Sequence, residues 1–184
     1  QGHVAYPHRV DNPVHRLARI AAALIAAPID AGSAFFEPTS IQLTSIDVGN
    51  AATNVVPASA RMMLNIRFNE RHSGASLAAW VRATAERYAE RFELEVSISG
   101  ESFLTPVGAE IEALRAAIAE ATGRQPVLDT GGGTSDARFI ARYCPVAEFG
   151  LVGQTMHQVD EQVPVGELRE LARIYRAVLD RLLA

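Results

Sequence analysis

Arg61-Met62-Met63-Leu64-Asn65-Ile66-Arg67-Phe68 alternates without a break. Met62, Leu64, Ile66 and Phe68 fall on one side, and Arg61, Met63, Asn65 and Arg67 on the other. A period of two sends successive side chains to opposite faces, so this stretch is predicted to be a strand with one apolar and one mainly polar face. Residues 39–48 form a second strand just upstream, joined to it by a polar loop at 49–57. Before them, residues 2–6 are a short strand. Asn12-Pro13 then provides an N-cap with proline at the first helical position, and Val14, Leu17, Ala21 and Leu24 follow at helical spacing until Pro28. Downstream, 71–75 is a turn, Leu77, Trp80, Val81, Thr84 and Tyr88 mark a helix face, and Leu94, Val96 and Ile98 alternate in a last strand. The order β-α-β-β-α-β predicts a ferredoxin-like unit, a four-stranded antiparallel sheet with two helices on one face.

A boundary is expected near 101–105, which places one domain at 1–101 and a second at 102–184. In the second, Thr105-Pro106 is expected to cap a helix carrying Ile111, Leu114 and Ile118 and ending at Gly123. Strands are expected at 125–128 and 146–149, and a strong amphipathic helix runs from Leu168 to Leu182. The pattern α-β-α-β-α belongs to an α/β sheet. Two short strands make a poor sheet alone, so this part looks like half of a domain. The fold class is therefore mixed α/β (α+β).

The chain has 184 residues, 48% of them hydrophobic, and a net charge of −4. Mean hydropathy is +0.07. No basic stripe argues for nucleic acid, and no run reaches the roughly 18 apolar residues of a membrane span. Cys144 is the only cysteine, which excludes an internal disulfide and suits the cytoplasm. Gln1 is not a natural start, so what stands upstream is open.

Chemistry is expected at a few places. Asp129-Thr-Gly131-Gly-Gly-Thr-Ser135-Asp136 joins a predicted strand to a short helix. Three glycines let a ligand approach the main chain, Ser135 or Asp136 can cap the helix, and backbone donors at a helix start favour an anion. The loop lacks the Lys-Ser/Thr pair of a P-loop and the G-x-G-x-x-G spacing. His3, His8 and His15 lie close in sequence, yet no carboxylate or thiol stands at ligand spacing beside them, and a metal site needs three or four convergent ligands. His72 is expected to be solvated in its turn. His157 follows the last predicted strand, where ligands of open α/β sheets collect, although a plain loop histidine fits its position equally well. Arg67 and Asn54 by themselves read as a solvated sheet residue and a turn residue. No nucleophilic triad forms: Ser135 lacks the G-x-S-x-G elbow, and Cys144 is expected in a core strand.

Taken in order, these segments resemble a known family. Gln1-Gly-His3-Val-Ala-Tyr-Pro-His8 with Asn12-Pro13-Val-His15, Phe35-Phe36-Glu-Pro-Thr-Ser40, Asn54-Val-Val-Pro57, Asn65-Ile-Arg67-Phe68, Gly131-Gly-Gly-Thr-Ser-Asp136 and Glu148-Phe-Gly150 ahead of His157 look like the bacterial succinyl-diaminopimelate desuccinylases. These are members of the two-zinc aminoacylase and carboxypeptidase superfamily. The resemblance implies a lid/dimerisation domain followed by the C-terminal part of a zinc-peptidase-like catalytic domain. It implies a cytoplasmic homodimer that hydrolyses N-succinyl-L,L-diaminopimelate to succinate and L,L-diaminopimelate with two zinc ions, on the route to lysine and cell-wall precursors.

Residue by residue, His157 matches a zinc ligand, and His3 matches the lid histidine that supports the oxyanion in the partner subunit's site. Arg67 matches an arginine holding a substrate carboxylate, Asn54 a lid asparagine near the substrate, and Gly133 and Thr134 a loop whose backbone donors hold a carboxylate end. Thr53 stands where relatives often carry a second asparagine, and Gly153-Gln154 also departs from the pattern. The remaining zinc ligands and the glutamate general base of the family have no counterpart here. The chain is thus expected to be a fragment, inactive alone. A free-standing dimerisation or binding module is the competing class, and an acylornithine-deacetylase-like hydrolase is a third alternative.

Overall fold

β4 (Arg61–Arg67) pairs antiparallel with β2 (Ser40–Asp47), from Ser40 opposite Arg67 to Asp47 opposite Arg61. Residues 1–26, 28–131 and 135–183 are described by a computed structural model of the chain. The register slips between Leu43 and Ser45, leaving Thr44 as an extra residue, which is a β-bulge. Met62, Leu64 and Ile66 of β4 and Ile41 of β2 face the core, while Arg61, Met63, Asn65 and Arg67 are exposed. The alternation of the sequence is therefore the alternation of the sheet.

Two helices cover the apolar face. α1 (Pro13–Ile25) begins where the Asn12 side chain accepts from the Val14 N–H at 2.9 Å, with Pro13 next to it. Its buried line is Ile20, Ala21 and Leu24. α2 (Gly74–Glu86) starts with a reciprocal capping box. Ser73 Oγ accepts from Ser76 N–H at 3.1 Å, and Ser76 Oγ accepts from Ser73 N–H at 3.0 Å. Ile20 and Leu24 join Val81, Ala85 and Ala89 in one cluster, with Trp80, Tyr88, Phe92 and Leu94 packed around it.

The strands differ from the four-stranded expectation. Among the described residues there are two two-stranded sheets. The second joins β1 (Gly2–His3) to β3 (Val55–Val56), so the 49–57 loop ends in a strand. Residues 94–98 form no strand ladder, and of them only Leu94 is part-buried. Leu94 packs on the core, and Ile98 lies so close to Gly74 that a Cβ there would sit 2.8 Å from its Cγ2. Val96 and Ile98 are about half exposed at 51% and 50%, so apolar alternation here accompanies neither a ladder nor a buried face.

The chain divides into two compact units, Gln1–Ser102 and Phe103–Ala184. In the second, α3 (Ala109–Thr122) packs with α5 (Val165–Leu182). Arg124–Glu170 at 2.6 Å and Arg181–Glu120 at 2.9 Å add exposed ion pairs, each worth little by itself. α3 ends at Gly123, whose φ of 70° closes the helix in the left-handed conformation glycine tolerates. Its start departs from expectation: Gly108, not Thr105, precedes the first turn. Thr105 Oγ1 instead donates to the Val146 carbonyl at 2.5 Å and accepts from the Val146 N–H at 3.1 Å. The expected strands at 125–128 and 146–149 carry no ladder among the described residues, and Val127 is 88% exposed. A strand exists only through a neighbouring backbone that bonds to it, and among the described residues no strand pairs with either; Val146 bonds instead to the Thr105 side chain. Cys144, expected in a core strand, is exposed in the turn after α4 (Ala137–Ile140).

Candidate functional site

In the first unit the β1–β3 ribbon brings His3 and Asn54 together. His3 lies opposite Val55, and the Val4 N–H donates to the Asn54 carbonyl at 3.1 Å. Gly2 is what lets Val10 close on this ribbon, because a Cβ there would sit 2.1 Å from Val10 Cγ1. His3 is exposed, and its Nδ1 lies 3.1 Å from the Ala5 N–H, which donates to it. Accepting at Nδ1 places the proton of a neutral imidazole on Nε2, so that nitrogen is a hydrogen-bond donor. The Tyr6 ring meets His3 edge-on at 5.9 Å, and Arg9 sits over Tyr6 at 5.2 Å. Asn50 staples the loop that carries Asn54: its Nδ2 donates to the Val55 and Ala52 carbonyls at 2.8 and 3.2 Å, and its Oδ1 accepts from Ala52 N–H. Its signal was the general taste of asparagine for turns.

Arg67 stands on the other ribbon, at the end of β4 on the exposed face. Past the Ser40–Arg67 rung lies a polar cluster that pattern reading missed. The Asp30 carboxylate, only 9% exposed, accepts from Gly32 N–H at 2.6 Å and from Asn69 Nδ2 at 2.8 Å. The Thr39 N–H and His72 Nε2 complete its shell at 3.2 and 3.0 Å. His72 is thus not merely solvated, because folding carries Asp30 across 42 residues of sequence to meet it. Burial by itself would raise the Asp30 carboxyl, but hydrogen bonds from the Thr39 side chain, Gly32, Asn69 and the Thr39 backbone outweigh it. They hold it well below the usual carboxylate range. Gly32 is required twice over: its φ is 77°, and a Cβ would lie 2.7 Å from the Phe36 carbonyl oxygen.

In the second unit, His157 is exposed with φ 61°, a left-handed conformation uncommon outside glycine. Its loop is pinned by Thr155, whose Oγ1 accepts from Gln162 N–H and donates to the Gln162 carbonyl, both at 3.0 Å. Held backbone strain of this kind clusters at functional positions. Gly133 and Thr134 lie outside the described residues. At the flanks of their loop, Asp129 Oδ1 accepts from Gly131 N–H at 2.9 Å, and Ser135 Oγ accepts from Ala137 N–H at 3.1 Å, so Ser135 rather than Asp136 supplies the side-chain cap.

Among the described residues no group of three or more His, Cys, Asp or Glu side chains could hold a metal ion. That includes His3, His8 and His15. The residues present do not fit a two-zinc centre: His157 would be one ligand without companions. What the chain does offer is a donor at His3, a guanidinium at Arg67 and a positioned histidine at 157. No helix among the described residues is long and apolar enough to cross a membrane.

Comparison with known proteins adds the following. The family described as the peptidase dimerisation domain matches residues 1–93. A succinyl-diaminopimelate desuccinylase of Gluconacetobacter diazotrophicus is 60% identical over 183 residues, covering 100% of this chain and 48% of the relative. One from Acidiphilium cryptum is 60% identical over 181 residues, 98% of this chain and 49% of the relative. One from Rhodospirillum rubrum is 55% identical over 182 residues, 97% of this chain and 46% of the relative. The chain spans about half the length of these curated relatives. A crystal structure of the aminopeptidase PepT from Bacillus cereus covers 100% of this chain and 49% of its own, with a TM-score of 0.76 at 22% identity, a likeness of fold.

Proposed function

This chain belongs to the peptidase dimerisation domain family, and from that premise we propose that it serves a succinyl-diaminopimelate desuccinylase. Residues 1–101 would be the lid and dimerisation domain, and 102–184 the C-terminal portion of the catalytic domain. The observation that carries the reading is identity of 60% along the whole chain with proteins of that name. The reaction is hydrolysis of the amide of N-succinyl-L,L-diaminopimelate to succinate and L,L-diaminopimelate in the cytoplasm. Two zinc ions are expected in the complete site. With His157 the one ligand from this chain, most of that centre belongs to sequence outside it, and the chain alone is expected to be inactive.

The chain's own residues then have separable tasks. His3, with Nδ1 accepting from the Ala5 N–H and Nε2 left to donate, supports the oxyanion that forms when the amide carbonyl is attacked. A donor aimed at developing charge acts on the transition state more than on the substrate. In a homodimer the lid would deliver it to the partner's site. Arg67 holds a substrate carboxylate, where a planar guanidinium can make two parallel bonds. Asn54, beside His3, contacts the substrate, and Gly133 and Thr134 hold a carboxylate end through backbone donors.

The extensive apolar exposure of the second unit, including Val127, Tyr143 and Val159 at 88, 89 and 92%, favours this reading over a free-standing module. Single exposed apolar residues are ordinary, but a set this large calls for a covering surface. The test is succinate release by the full-length protein with His3→Ala. We expect kcat to fall about 100-fold or more, the usual effect of removing one oxyanion donor, with zinc content unchanged. Loss of zinc would make His3 a ligand instead, and unchanged turnover would overturn the assignment.

A further inference from the structure

The cluster around Asp30 includes no group given a chemical task above, yet it joins Thr39 and Asn69, which flank the Ser40–Arg67 rung. Ser40 opposite Arg67 is the last rung of the β2–β4 ladder. Thr39 precedes that rung on one strand and Asn69 follows it on the other. The Asn69 N–H points to Thr39 Oγ1 at 3.4 Å, so a side chain continues the pairing where the backbone ladder stops. Asn69 is 1% exposed and Thr39 5%. Asn69 Nδ2 also reaches the Glu37 carbonyl at 3.2 Å, and its Oδ1 accepts from Arg71 N–H at 3.0 Å, turning the chain toward α2. Asp30 gathers both sides of this junction through Thr39 and Asn69.

We propose that Asp30, Thr39 and Asn69 are positioning residues for Arg67, and that their buried network fixes the strand end from which Arg67 takes the substrate carboxylate. The proposal rests on the carboxylate-holding role given to Arg67 above. Its physical basis is the nature of the cluster. A buried carboxylate carries a large desolvation penalty, and apolar packing could close the same junction at no loss of stability. What a fully bonded polar network adds is one defined geometry. A strand end without ladder bonds frays, and a bidentate guanidinium displaced by about 1 Å loses much of its alignment with a carboxylate.

The test uses the full-length protein and N-succinyl-L,L-diaminopimelate. Thr39→Val removes the hydroxyl and keeps the shape. We expect KM to rise about tenfold with kcat held within about threefold, and Thr39→Ser to restore the parent KM. In an Arg67→Ala background, Thr39→Val should change KM less than about twofold, because residues acting through one another are not additive. Fully additive effects would overturn the proposal while leaving the role of Arg67 intact. An unchanged KM in Arg67→Ala alone would instead sink the reading of Arg67, and the proposal with it. Should Thr39→Val fold poorly by thermal melting, His72→Ala removes one contact to Asp30 from the rim, where the His72 side chain is 24% exposed. It is expected to raise KM about threefold in the parent and not in Arg67→Ala; no rise in the parent overturns the proposal.

Discussion

At the scale of single residues, the structure separates groups by how they are held. His3 is exposed but has one ring nitrogen committed to the Ala5 N–H, which decides what the other can do. Asp30 is the opposite case, buried and surrounded by donors. Its folded-state pKa lies below the ordinary carboxylate value. The stability it contributes is therefore complete above the unfolded pKa, about 3.9, and drains away as pH falls below that toward the depressed folded value. Urea unfolding of the chain from pH 7 to about pH 2 should show this loss. Asp30→Asn should be less stable at pH 7 and show a shallower decline in acid. An identical acid slope in both proteins would show that Asp30 does not carry the effect.

At the scale of elements, α1 ties the first unit together. Leu24 is 1% exposed and joins α2 in the shared cluster. Leu24→Ala removes several buried carbons and leaves a void, which typically costs about 2–5 kcal/mol. Ile25 is 54% exposed, so Ile25→Ala should shift stability by about 0.5 kcal/mol or less. Denaturant midpoints of the two variants compare adjacent residues about 100° apart around one helix, one buried and one exposed, and equal losses would mean that the buried line of α1 has been misplaced. α5 shows why such a line cannot be read from pattern alone. Of its expected apolar stripe, Leu171 and Val178 are part-buried, Leu168, Tyr175, Leu179 and Leu182 are exposed, and the one buried residue, Ile174, was not on it. The stripe is wider than the surface that α3 covers.

At the scale of the whole molecule, that uncovered stripe and the relatives' twofold greater length point the same way. An apolar face without a neighbour is a surface awaiting one. The family match over 1–93 carries a second expectation, association of the first unit with its copy. Sedimentation of the full-length protein should give twice the mass of one chain at micromolar concentration. A monomer there would leave His3 without a partner site to enter, and would overturn the shared-site reading of the lid.

The local patterns that depend only on neighbouring residues were legible in the sequence. Alternation marked β4, Asn12-Pro13 marked the start of α1, and Gly123 the end of α3, because each rests on backbone geometry within a few residues. The motif order of the sequence also pointed to the family that residues 1–93 match, while the roles given to His3, Asn54, Arg67 and His157 belong to the proposal. What only the tertiary structure decided is which segments meet. The alternation at 94–98 did not reveal that the segment forms no ladder, and the stretches at 125–128 and 146–149 looked like strands but carry no ladder among the described residues. Asp30 and His72, 42 positions apart, carry no mutual signal in the chain. Hydrogen bonds between distant residues depend on how the loops close in three dimensions, and that closure is set by the packed core rather than by any local run of sequence.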